Sequence, residues 1–257
     1  MTLRCSVSRL TIPAMMTFLM LSPAQAQQDD SQETQWGLGV GAGIKQKEYQ
    51  GDDSQSRIIP VLYAENRWLR LIGPNLDIKL ASFADVSFNV RAKFALGDGY
   101  EAEDSWLLTG MAERKASIWL GPQATWQTAI GDFSAELLTD TMSHSEGLQA
   151  SLSYGKTFAM NQHWSIEPKL KLTWLNDDYV DYYYGVSAAE ATPERAFYTA
   201  DASLNYSAEV AFHYQLDRRH RFSFAASYTQ LGSDIKDSPI VDQSGLGQVA
   251  FIYLYRF

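Results

Sequence analysis

Cysteine is all but missing: 257 residues hold one. Cys5 precedes an apolar stretch and lies at no cleavage site, so it is no lipoprotein anchor. A chain processed downstream of it has neither disulfide nor thiol chemistry. Long apolar runs are missing as well. Past residue 26 nothing approaches the ~20 apolar residues of a membrane helix. Histidine is scarce, and His144, His163, His213 and His220 offer no pair at ligand spacing, so a zinc site is disfavoured. Cations are outnumbered, 21 Lys+Arg against 30 Asp+Glu. Phosphate binding needs clustered cations, which argues against nucleic acid as a partner. No motif marks a catalytic residue, a metal site or a cofactor, and none of these is expected.

What is present begins with an export signal. Arg4 and Arg9 form a basic n-region, residues 10–21 are mostly apolar, and Ala24-Gln25-Ala26 is a small-x-small cleavage site. Residues 1–26 are therefore expected to be a signal peptide, 27–34 a short periplasmic segment and 35–257 the folded body. Without Arg4 and Arg9 the formal net charge of -9 becomes -11. An exported, acidic, cysteine-free chain suits the outer membrane of a Gram-negative cell, among lipid and lipopolysaccharide.

The final strand is the strongest single signal. Val249, Phe251, Tyr253, Tyr255 and Phe257 alternate with Gln248, Ala250, Ile252, Leu254 and Arg256. A period of two is that of a β-strand, with one aromatic face running to the terminus. Outer-membrane barrels close on such a strand, and Phe251, Tyr253, Tyr255 and Phe257 are expected to serve closure and recognition by the barrel assembly machinery. Alternation recurs over 35–46, 86–97, 163–176 and 200–216. Runs of this length match the ~9–11 tilted residues that cross a bilayer. Further strands are predicted over 55–65, 67–73, 75–81, 115–130, 132–142, 147–159, 220–231 and 246–257. The expectation is all-β: a transmembrane antiparallel β-barrel of about 12 strands, or ten if two of the short runs in 55–81 are one irregular strand. With twelve, the turns on one side are short, and the loops 47–54, 98–114, 177–199 and 232–245 fall on the other, which is the barrel asymmetry. Pro60, Pro122 and Pro168 each remove a ladder bond and are expected at bulges or strand ends. Trp and Tyr near strand ends would form the interfacial girdles.

Charges on the second face of the strands predict a wet or ion-paired lumen. Arg91, Lys93, Glu136, Glu167, Lys169, Lys171 and Glu209 are expected there, plugging the lumen or narrowing it to a small channel. His213 should pair Glu209 or a neighbouring carboxylate, while His163 and His220 are read as solvated. Asp52, Asp53, Asp98, Asp104, Asp177, Asp178 and Asp181 read as solvated loop charge without the spacing of a calcium loop. His144-Ser145, at an extracellular turn, is the one place for a lipid-active enzyme. Adjacent residues in a turn rarely give a nucleophile and its base the geometry they need.

Tyr182-Tyr-Tyr-Gly-Val186, followed by Glu190-Ala191, Arg195 and Tyr198, resembles the MipA/OmpV family of outer-membrane proteins. Asp237-Ser-Pro-Ile-Val241, Tyr49-Gln-Gly51 and the aromatic terminus carry the same resemblance, which covers essentially the whole mature chain. The matching positions are Tyr183, Tyr184, Gly185, Val186, Arg195, Asp237, Ser238, Pro239 and Ile240. The resemblance implies no catalytic role for them. Gly185 permits a tight turn and Pro239 stiffens a second loop, and the two loops are expected to meet over the barrel mouth as a lid. The resemblance also implies a non-enzymatic scaffold that brings a lytic transglycosylase and a peptidoglycan synthase together; the charged lumenal faces of 86–97 and 163–176 give a narrow channel for small solutes as the rival reading.

Overall fold

A wall forms because side chains alternate and every strand finds neighbours. The computed structural model describes residues 34–51, 54–95 and 98–257. The expected signal peptide, and the periplasmic segment up to residue 33, lie outside the described residues. The chain opens with β1 (Gln35–Gln46), β2 (Ser54–Glu65), β3 (Leu69–Ile72), β4 (Asn75–Phe83) and β5 (Val86–Phe94). It continues through β6 (Ile118–Thr128), β7 (Gly131–Asp140), β8 (Leu148–Gly155), β9 (Phe158–Ala159) and β10 (Trp164–Leu175). After the helix α1 (Asp177–Tyr184) come β11 (Ser203–Gln215), β12 (His220–Gln230), the short α2 (Ser233–Lys236) and β13 (Gly245–Arg256).

Each strand pairs antiparallel with its sequence neighbour, and β13 returns to β1 in a register from Gly37↔Arg256 to Lys45↔Gln248. Both β8 and β9 pair with β10, so they are two halves of one strand. The described residues thus form a closed, twelve-stranded antiparallel barrel, which settles the count left open at 55–81.

Three connections on the short-turn side share one chemistry. The side-chain oxygens of Asn66, Asn161 and Asp217 each accept the backbone N–H groups two and three residues on, at 2.8–2.9 Å. Such Asx turns reverse the chain with no long loop.

One hairpin departs from the pattern. β3 and β4 join at Gly73-Pro74, where Gly73 takes φ +53. β3 meets β2 only at Tyr63, Ala64 and Glu65. A bond from the Gly73 N–H to the Leu62 carbonyl, 2.9 Å, ends that ladder. Above it, β2 has β1 on one side and no strand on the other among the described residues.

The prolines do not make bulges. The register shift is in β4, between Lys79 and Ala81, whereas pairing continues through Pro60, Pro122 and Pro168. Each proline instead turns its missing N–H toward an interruption. Even-numbered β2 residues bond toward β3, so Pro60 faces the open edge. Pro122 faces β7, where the pairing skips Gly121 and Pro122. Pro168 faces the break between β8 and β9. A residue without a donor is tolerated where no acceptor waits.

The outward face is apolar and exposed: Trp36, Leu38, Ile58, Leu80, Leu152 and Leu170 all show more than half of their surface. So wide an apolar belt belongs against lipid. At the short-turn end, Trp164, Tyr214, Phe222 and Tyr253 form a chain of rings with centroids 4.7, 6.2 and 5.0 Å apart, as an interfacial girdle requires. His163 and His220 are not simply solvated. Beside that girdle His163 Nδ1 meets the Gln215 carbonyl (2.8 Å) and His220 Nδ1 meets the Tyr253 hydroxyl (2.8 Å).

Candidate functional site

The buried core does not lie between two sheets. It lies at the mouth on the long-loop side, where four connections fold inward. α1 starts because Asn176 caps it: the Asn176 side-chain oxygen accepts the N–H of Tyr179 at 3.2 Å and that of Leu148 at 2.7 Å. Asp177 and Asp178 occupy the first turn, where negative charge favours the helix dipole. The helix then buries Tyr179, Val180, Tyr183 and Tyr184 against Tyr49, Leu108, Trp119, Ile235 and Ile240. Leu108, Val180, Ile235 and Ile240 have no exposed surface. The rings interlock, with Tyr49–Tyr100 at 4.8 Å, Tyr179–Tyr183 at 4.8 Å and Trp119–Tyr179 at 5.4 Å.

Polar groups stitch the loops where the core alone would leave them unsatisfied. The Ser238 hydroxyl donates to the Tyr184 carbonyl at 2.6 Å, so the two family-motif loops touch. Tyr49 and Tyr183 donate to the Tyr183 and Lys115 carbonyls, at 3.3 and 3.0 Å. Tyr184 donates to Glu48 at 3.2 Å. Buried Arg195 donates to the carbonyls of Leu107 and Glu190, the latter through Nε at 3.0 Å. Gly185, at the C-cap of α1, donates to the Asp181 carbonyl, and Val186 bridges to Tyr198. Asp237 caps α2, and Pro239 stands between the buried Ser238 and Ile240.

Burial acts on the phenols. It pushes Tyr49, Tyr179, Tyr183 and Tyr184 well above the ordinary tyrosine value, and Tyr100 up to about 12. Glu190 goes the other way. Desolvation opposes its ionisation, but bonds from the Ala112 N–H and from the Ser187 hydroxyl and N–H, together with Arg114, hold its carboxyl at about 2.

Below this cap the inward face is charged. Arg91 grips Asp77 with two bonds, 2.7 and 2.9 Å, and reaches Glu136 at 3.2 Å. Lys171 meets the other Glu136 oxygen at 2.9 Å. Glu167 stands 3.7 Å from His213, whose Nδ1 meets Ser223 at 2.9 Å. Glu167, rather than Glu209, is therefore the carboxylate beside His213. Lys169 and Glu209 face one another across the β10–β11 ladder, and Glu209 is exposed. Glu209 is thus an inward carboxylate left exposed beneath the cap. Lys93 faces the same space without a hydrogen-bond partner among the described residues.

The remaining candidates separate. His144 Nδ1 meets the Ala116 carbonyl at 3.1 Å, while the Ser145 hydroxyl donates to Asp140 at 3.0 Å. Asp140 also accepts the N–H groups of Met142, His144 and Ser145. This serine holds a turn through Asp140, and the His144 ring bonds elsewhere. Asp98 and Asp104 are not free loop charges either: they stand 4.0 Å from Lys45 and 3.7 Å from Lys47. Asp52 and Asp53 lie outside the described residues. Among the described residues no group of three or more His, Cys, Asp and Glu is placed to hold a metal ion.

Sequence reasoning missed α1 and the contribution of 104–111. Both left signals. Asn176-Asp-Asp178 is a helix start, and Trp106-Leu-Leu108 is an apolar run inside a supposedly wet loop.

A lipid-facing girdle, a closed ring of strands and short turns opposite long loops define an integral outer-membrane β-barrel of a Gram-negative bacterium. The family model described as MltA-interacting protein MipA matches residues 38–257, and the chain belongs to that family. It is 29% identical to outer membrane protein OmpV of Vibrio cholerae over 161 residues, which are 63% of this chain and 62% of that protein. The chain thus matches somewhat less than two thirds of the length of that relative. It is 25% identical to the MltA-interacting protein of Escherichia coli over 230 residues, 88% of this chain and 91% of the other. Among solved structures it is similar to outer-membrane OmpT of Vibrio cholerae, with TM-score 0.40 and 5% identity, covering 88% of this chain and 97% of that one.

Proposed function

We propose that this barrel is a non-enzymatic organiser of the cell envelope that holds murein-remodelling enzymes, a lytic transglycosylase and a peptidoglycan synthase, at its periplasmic face. Kinship with a protein named for its interaction with MltA carries the reading. One geometric feature supports it: the loops Tyr183–Val186 and Asp237–Ile240 touch and pack over the long-loop mouth, which leaves the opposite, short-turn rim as the face for periplasmic partners. A stable interface buries about 800 Å² on each partner. The short turns cannot reach that alone, so the rim must contribute. Arg67, Lys156, Arg218 and Arg219 stand in or beside the short turns, with Asp85 and Asp217 among them, so paired arginines at 218–219 are the local basic feature of that rim.

The rival reading, a narrow axial channel, would need a path through the packed tyrosines and aliphatic side chains of the cap. A lipid-active site at Ser145 would need a base that His144 does not supply. Affinity capture from detergent-solubilised envelopes tests the scaffold. The transglycosylase and the synthase should co-elute with the wild-type barrel and be depleted when Arg218 and Arg219 become Glu. Recovery of neither enzyme overturns the proposal.

A further inference from the structure

Three arginines of the inward face meet at the short-turn end of the barrel. Arg70 is the second residue of β3, Arg221 the second of β12 and Arg256 the last of β13. The ladders fix their side of the wall. Arg256 stands opposite Gly37 and Arg221 opposite Leu254, in the row that alternates with the outward Tyr253 and Tyr255. Arg70 stands opposite Asp77, which Arg91 grips inside the barrel. Arg221 has Arg256, Arg70 and Tyr63 as electrostatic neighbours, and Tyr63 has Arg256 and Arg70. The three cations therefore gather on the lumen wall around one phenol.

Like charges so gathered repel unless something negative stands between them. The wall supplies little. Arg221 makes no hydrogen bond or ion pair with any described residue. The Arg256 side chain bonds, among the described residues, only to the Gln215 side-chain oxygen at 3.3 Å, and its Nε is buried without a partner. Arg70 approaches Glu65 only to 3.8 Å. Glu65 already accepts Lys79 and Tyr63, at 2.8 Å each. Glu167, the carboxylate nearest Arg221, accepts Thr157 at 3.2 Å and stands beside His213. A buried donor left unsatisfied on a charged group is costly, and guanidinium forks match the paired oxygens of a carboxylate or a phosphate. The Arg70 side chain is 51% exposed, so the cluster lies within reach of solvent. We infer that Arg70, Arg221 and Arg256 form a binding site for a dianionic oxyanion, a phosphate or a pair of carboxylates, on the lumen wall at the short-turn mouth. The site belongs to the inward wall and does not depend on enzymes docking at the outer turns.

The test uses the purified barrel in maltoside detergent at low ionic strength, titrated calorimetrically with inorganic phosphate and with succinate. At least one of them should bind more tightly than sodium chloride of equal ionic strength. A preference for phosphate identifies a phosphate group and a preference for succinate a pair of carboxylates; either result supports the site. Arg221→Gln should weaken that binding about tenfold or more, the worth of one charge-assisted bond, and Arg221→Lys should recover only part of the loss. Lys115→Gln, at the opposite end of the barrel, should leave binding unchanged. Heat-modifiable gel mobility separates binding from a structural role. Since Arg221 holds no partner in the wall, Arg221→Gln should unfold no earlier than the wild type without added anion, and the anion should raise the unfolding temperature of the wild type only. No binding above that of chloride, undiminished binding by Arg221→Gln, or equal weakening by Lys115→Gln overturns the inference. An Arg221→Gln barrel that unfolds earlier than the wild type, with no effect of anion on either, overturns it as well.

Discussion

Arg195 is a buried cation that answers to carbonyls rather than to a carboxylate. Its planar fork collects the Leu107 and Glu190 carbonyls, tying the connection before β6 to the one after α1. Arg195→Met should strand those carbonyls, at about 1.5–3 kcal/mol for each charge-assisted bond lost. Arg195→Lys should rescue little, because a point charge cannot fork. Hydrogen exchange should then rise in 98–117 and 185–200 while the strands stay protected; unchanged exchange would sink the idea. Ser238→Ala belongs to the same scale. It leaves the buried Tyr184 carbonyl without its 2.6 Å donor, and should loosen the cap by about 1–3 kcal/mol, visible as new protease sites in 177–199. Glu190 supplies a pH signature. Its folded value, about 2, lies below the ordinary glutamate value of 4.5. Its contribution is therefore complete above the ordinary value and lost as pH falls from there toward about 2. Near-ultraviolet circular dichroism of the cap tyrosines should decay over that window, and Glu190→Gln should flatten the dependence.

At the scale of elements, β1 is held by two neighbours that crowd its bare face. A Cβ on Gly39 would run into the Tyr253 carbonyl oxygen and the Leu254 Cα, whereas one on Gly41 would meet side-chain carbons of Val61, Ile59 and Ile252 at 3.3–3.8 Å. Gly39→Ala should therefore impair closure of β13 on β1, and Gly41→Ala should be tolerated. The folded, heat-modifiable band on gels separates the two outcomes; equal folding of both would refute the crowding argument. The wall was largely legible in the sequence because a period of two is visible residue by residue: β1, β10, β12 and β13 fall within a residue or so of the expected spans. The cap was not, because its contacts join Tyr49, Tyr100, Tyr183 and Ile240 from four connections, and no local period reports such a meeting. Proline was legible as the loss of a donor. Whether that loss makes a bulge depends on what the neighbouring strand offers, and that information lies in a different part of the chain.

For the whole molecule, the inward-folded connections form a packed cap over the long-loop end of the barrel. Planar-bilayer recordings should show no conductance for the intact chain and a steady one after deletion of 177–199; an intact protein that conducts would contradict the geometry of the cap. The prolines bear on the mechanics of the wall. Pro60 faces an open edge and Pro122 a stretch that the pairing skips, while at Pro168 a single bond of 3.2 Å, from the Lys156 N–H to the Pro168 carbonyl, crosses the break. A bilayer pressing on the barrel from the side meets stiffness wherever hydrogen bonds resist shear. It meets much less along these three lines, which divide the circumference into panels. The barrel should then respond to lateral pressure by creasing along fixed seams, so its cross-section changes shape while the bonded panels, and the cap seated on them, keep theirs.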